Sequence, residues 1–202
     1  VKDKNVSNVR EQVKKILTYP ETGYPPWESV DVDSKEYMTK LSTPIFRLTI
    51  TDGKVYAVPT EQFKEYRSTL YELLRTDMEN HCKSVGGDST KLVENNESSH
   101  ITVVNSNIVH DCGQDSVREF ISSTQNVVDF TITFGKIKST VSNDWTLFSR
   151  CYVAETESTF LTEFVDRFNV HFKDRLKKPI KLSPHTTIAI VPRSLNLFKK
   201  SL

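Results

Sequence analysis

Two kinds of hydrophobic spacing alternate along this chain, and their order runs almost twice through one cycle of hairpin, helix and single strand. Pro44-Ile45-Phe46-Arg47-Leu48-Thr49-Ile50 alternates as a strand, Asp52-Gly53 is a strong hairpin turn, and Lys54 to Val58 reads as the returning strand. Thr60 is a candidate N-cap for a helix carrying Phe63, Tyr66, Leu70, Leu73, Leu74 and Met78. Polar residues 84 to 99 then lead into a short apolar strand, Ile101 to Val104. The second pass has a short helix over Asp115 to Ser123, a strand over Val127 to Lys138, a turn at Ser142-Asn143-Asp144 and a strand over Trp145 to Val153. An amphipathic helix over Thr159 to Leu176 follows, and the last strand runs from Pro184 to about Pro192. This order predicts an α+β fold of two similar lobes packed as a pseudo-symmetric unit, with one of the two single strands in each lobe.

Upstream of this pattern, residues 6 to 17 place Val6, Val9, Val13, Ile16 and Leu17 at helical spacing. Tyr19-Pro20 and Gly23-Tyr24-Pro25-Pro26-Trp27 break that helix and open an acidic, irregular stretch to about residue 40. The expected division is therefore an N-terminal helix and irregular extension over 1–43, followed by one domain over 44–202. An apolar content of 37 % with 10 % aromatic residues is enough for one substantial core. A start at Val1 suggests a fragment or processed form, and the expected state is a monomer or one domain of a larger protein.

Lys and Arg number 27 against 26 Asp and Glu, a net charge of +1, which excludes a broadly basic nucleic-acid coat and leaves any polyanion to a locally lined groove. The sequence has no apolar run near the roughly 18 residues that span a bilayer and no signal-peptide pattern, so the expectation is an intracellular protein, nuclear or cytoplasmic, with no membrane partner. Cys82, Cys112 and Cys151 are widely spaced and odd in number, which fits free thiols in a reducing compartment better than a disulfide framework.

The two single strands open alike, with Ser99-His100-Ile101-Thr102-Val103-Val104 and Pro184-His185-Thr186-Thr187-Ile188-Ala189. On a strand, residues i and i+2 project to one face, so each motif sets an imidazole beside a hydroxyl. Two such pairs across a cleft are equipment for acid–base chemistry on a phosphate ester without a metal. A single His-x-Thr is weak evidence, because threonine is common. The remaining histidines, His81, His110 and His171, lack both the motif and the strand. Zinc needs three or four ligands, and neither motif has neighbours at ligand spacing; His110-Asp111-Cys112 holds three ligand types that adjacent residues cannot aim at one ion.

With its two His-x-Thr strands 185 − 100 = 85 residues apart, the chain resembles the 2H phosphoesterase superfamily over roughly residues 44 to 192. That superfamily includes LigT-like RNA phosphoesterases, cyclic phosphodiesterases and U6 small nuclear RNA end-trimming enzymes. The resemblance implies a two-lobed, pseudo-symmetric LigT-like fold, with antiparallel sheets and flanking helices around a central cleft, and a hydrolase of phosphoric diesters that uses no cofactor. It implies catalysis by His100, Thr102, His185 and Thr187 on RNA or an oligonucleotide, with hydrolysis of a 2′,3′-cyclic phosphate or 3′-end trimming in RNA processing or repair. Two other outcomes fit the same residues: a 2′,5′-oligoadenylate phosphodiesterase, and a non-catalytic RNA-binding module that keeps the cleft.

For substrate binding, Tyr56, Phe148 and Tyr152 on expected strands are candidates to stack a base, although core packing competes for each. Arg150, Arg193 and Lys138 are candidates to meet phosphates. The dense basic run Lys173, Arg175, Lys177, Lys178 and Lys181 follows an expected helix, where cations are favoured in any case.

Overall fold

Asp52 (φ 50°) and Gly53 (φ 70°) both take the left-handed conformation, the pairing that turns a chain tightly between two right-twisted strands. They join β2 (Ile45–Thr51) to β3 (Lys54–Pro59) in a regular antiparallel hairpin. The computed structural model describes residues 27–32, 45–59, 63–95, 100–124, 130–141 and 145–193. The expected helix over 6–17 and the Thr60 cap lie outside these residues. One edge of the hairpin takes β5 (Ile101–Val104) and the other takes β6 (Phe130–Thr131), giving a four-stranded sheet ordered β5-β3-β2-β6.

The second sheet is five-stranded. Its centre is β7 (Thr133–Thr140), β8 (Phe148–Glu157) and β9 (His185–Pro192), and its edges are β1 (Glu28–Ser29) and β4 (Val93–Glu94), in the order β1-β7-β8-β9-β4. Every pairing in both sheets is antiparallel. Four helices complete the described chain: α1 (Phe63–Ser84), α2 (Ser106–Cys112), α3 (Gln114–Thr124) and α4 (Thr159–His171). None among the described residues is long and apolar enough to cross a membrane.

Both sheets turn one face to a shared core. Phe46, Val55, Ala57 and Ile101 enter it from the first sheet, and Ile137, Tyr152, Ala154 and Ile188 from the second. Leu70, Leu74 and Met78 of α1 fill it from one helix, while Phe120 of α3 meets Phe164 and Phe168 of α4 at ring separations of 5.5 and 5.6 Å. These positions are the periodic apolar stripes of the sequence, and burying them is what joins the two sheets into one body.

The structure departs from the sequence reading in several places; the strand expected over Val127 to Lys138, for one, divides at Ile132 into β6 of the first sheet and β7 of the second. Part of the stretch expected to be irregular forms β1, and Val30 beyond it is buried in the core. The polar segment 84 to 99 contributes a 3-10 turn, Ser89–Lys91, and the edge strand β4. A separate helix, α2, follows the first motif strand. Finally, α4 stops at His171 and not near Leu176, because the backbone of Phe172 (φ −101°, ψ 16°) leaves the helical region. Cys82, Cys112 and Cys151 are buried and free.

Candidate active site

Each motif strand shows the alternation expected of a sheet with one covered face. Ile101 is buried between half-exposed His100 and Thr102, and Thr186 is buried between half-exposed His185 and Thr187. The imidazole and hydroxyl of each motif therefore share the face turned away from the core. Beyond each threonine the register slips by one residue. Val103 is extra where Val55 and Tyr56 pair with Val104 and Thr102, and Ile188 is extra where Tyr152 and Val153 pair with Ala189 and Thr187. These bulges let two consecutive apolar residues face the core directly after the motif. An alanine stands opposite the middle residue in both cases, Ala57 against Ile101 and Ala154 against Thr186. The same local construction occurs twice.

The two motifs come together. β5 and β9 touch although they belong to different sheets, and charge on His185 acts on His100. The surroundings of the two rings differ. The Tyr56 ring lies 4.3 Å from that of His100, and Tyr56 pairs across the sheet with Thr102. Burial lowers the His100 pKa below its ordinary 6.5, and the positive charges of Lys54 and His185 lower it further. Burial also lowers the His185 pKa, but here the neighbours oppose it: the Ser183 carbonyl and the Glu155 carboxylate favour the proton. His185 Nδ1–H donates to the Ser183 carbonyl at 2.9 Å, which makes Nε2 the unprotonated nitrogen of the neutral ring. Glu155 stands directly opposite His185 on β8 and is ion-paired with Lys138 of β7.

Apolar rings border this region. Trp27 lies 5.4 Å from the His185 ring at 63°. Trp27, Trp145 and Phe148 pack against a small apolar cluster of Cys151, Val153 and Ile190, separate from the main core. Val153 pairs with Thr187, so this cluster shares the motif face of its sheet. Phe148 is thus on that face, half-buried against Trp145 at 4.6 Å.

Arg150 and Tyr152 are not on it, and the sequence reading of them as substrate contacts is corrected. Tyr152 is fully buried in the core beneath β8, with its hydroxyl 3.3 Å from His81 Nδ1. Arg150 is also buried, donating to Glu28 Oε2 at 2.6 Å and to Ser139 Oγ at 2.7 Å. The physical reason is a register slip in β8: Ser149 is extra between Phe148 and Arg150, so Arg150 and Tyr152 fall on the face opposite to that of Phe148. Lys138 is held by Glu155, and Arg193 Nε donates to the Trp145 carbonyl at 2.8 Å. Within the basic run, Arg175 reaches back to the Cys112 carbonyl and the Ser116 hydroxyl, pinning the segment to the α2–α3 junction.

Among the described residues no three His, Cys, Asp or Glu side chains gather as a metal ligand set. In His110-Asp111-Cys112 the thiol is buried while the imidazole is exposed. Trp27, Lys54 and Glu155 were not singled out from sequence, since each reaches the motifs through pairing between distant segments. Comparison with protein-family models, with curated proteins and with solved structures finds no match.

Proposed function

We propose that this protein is a phosphodiesterase of the 2H type, with a two-lobed, pseudo-symmetric fold, cleaving RNA or oligonucleotide phosphodiesters by acid–base catalysis between His100 and His185. The observation that carries the reading is the meeting of two identically built imidazole–hydroxyl pairs from two different sheets. One phosphate between them receives a base from one side and an acid from the other.

The unequal surroundings support an assignment of roles. His100, beside Lys54, is the neutral base, and His185, beside Glu155 and the Ser183 carbonyl, is the acid. On a 2′,3′-cyclic phosphate, His100 takes a proton from water as the water oxygen bonds to phosphorus. The bond from phosphorus to one ribose oxygen breaks, and His185 protonates that oxygen, leaving a phosphate monoester. At a linear RNA end the neighbouring 2′-hydroxyl attacks in place of water. Thr102 and Thr187 donate hydrogen bonds to the non-bridging oxygens as charge grows there. Positioned acid–base catalysis of this kind contributes about 10²–10⁴-fold.

The test is a panel of oligonucleotides in EDTA, with 2′,3′-cyclic phosphate ends, linear 3′ ends and 2′,5′ linkages, read by product mass. Turnover of at least one class, lost in His100→Ala and in His185→Ala, is expected. A preference for 2′,5′-linked oligoadenylate would move the substrate but keep the mechanism. Binding without product from any class would make the protein an RNA-binding module.

A further inference from the structure

The edge strand β1 has only two residues, pairing Glu28 with Ser139 and Ser29 with Lys138, and one more backbone bond from Val30 N–H to the Ile137 carbonyl at 3.1 Å. So short a strand has little hold of its own. A side-chain clamp between exposed Glu28 and buried Arg150 supplies it. Glu28 Oε2 accepts from Arg150 Nη1 at 2.6 Å and lies 3.8 Å from His81 Nε2, while Arg150 is fixed from behind by Ser139. One residue before the clamp is Trp27, whose indole meets the His185 ring edgewise and packs on the Val153–Ile190 patch.

We propose that Trp27 is a positioning residue for His185, delivered to the motif face by the Glu28–Arg150 clamp. The inference rests on the reading of His185 as the catalytic acid. An imidazole held by a hydrogen bond at Nδ1 can tilt about that bond; an indole wall on its flank restricts that motion and excludes water from it. Around His185 stand Glu155 on β8, Lys138 on β7 through its pair with Glu155, and His100 next to β5. Trp27 adds no charge to this set. Its contribution is contact and desolvation, so its removal moves the titration of His185 upward toward the ordinary imidazole value.

Trp27 and Trp145 are the chain's two tryptophans, which gives a readout independent of turnover. An imidazolium quenches an indole it touches, so the intrinsic fluorescence of the intact protein is followed against pH. The wild type and Trp145→Phe should show a quenching step on acidification that Trp27→Phe and His185→Gln lack. Persistence of the step in either of those two variants would overturn the proposal.

With a cleaved oligonucleotide, Trp27→Ala should lower kcat by roughly tenfold or more with KM changed by less than about twofold. Its pH profile should move upward on the basic side, and Trp27→Phe should recover most of the rate. Glu28→Gln, which removes the charge of the clamp on Arg150, should share the direction of the Trp27→Ala change. An unchanged kcat, or a change in KM alone, would also overturn it. If wild type cleaves nothing, the functional reading fails while the fluorescence experiment still decides the contact.

Discussion

His100 and His185 are the same side chain placed against neighbours of opposite sign, and that difference sets the expected pH response. Neutral His100 is needed for the base step, so activity falls as pH drops through its lowered pKa. Protonated His185 is needed for the acid step, so activity falls as pH rises through its own lowered pKa. Both limbs then lie below the ordinary imidazole value, and a bell-shaped kcat/KM profile should peak below about pH 6.5. A maximum above neutrality would contradict the lowered pKa of the two rings. Replacing Lys54 by Met should raise the acidic limb, since a cation that disfavours His100 protonation is removed. Thr102→Val and Thr187→Val should each cost about 10²–10³ in kcat, the usual loss for one preorganised donor, with the fold unchanged. The four motif residues were readable because they sit two apart on strands, whereas Lys54, Glu155 and Trp27 act across pairings that local spacing does not encode.

Among the elements, strands with uniform alternation were legible and strands with bulges were not. The β2–β3 hairpin follows its Asp52-Gly53 turn without a register slip, and its faces were as expected. In β8, one slip at Ser149 leaves Phe148 on the motif face but sends Arg150 and Tyr152 to the opposite one, where a half-polar sequence offers no period to reveal it. The edge strands β1 and β4 have two residues each, too few to show a period at all. The helix stripes were clear because aromatic residues mark them. Phe168 of α4 is fully buried against Phe120 and Phe172, so Phe168→Ala should cost about 3–5 kcal/mol in urea unfolding. Val170 on the same helix is 72 % exposed, and its replacement by alanine should change stability by under about 0.5 kcal/mol. Equal losses at the two positions would contradict the packing of α4.

For the molecule as a whole, one core is shared by the two sheets, and the partial burial of histidines in and around it ties stability to pH. Burial lowers the pKa of His81, His100 and His185 in the folded state. The unfolded chain therefore binds more protons just below pH 6.5, and these three groups contribute stability that is complete above that pH and lost as pH falls through their folded values. Thermal unfolding should accordingly move to lower temperature between pH 7.5 and 5.5, and this shift should shrink in His81→Gln. The central claim, that both imidazoles grip one phosphate, is tested most directly by histidine-selective NMR during titration with a nucleoside 2′- or 3′-monophosphate. Resonances of His100 and His185 should move together along a single binding curve, while those of His110 and His171 stay in place. Movement of one motif histidine without the other, or separate curves for the two, would contradict the account.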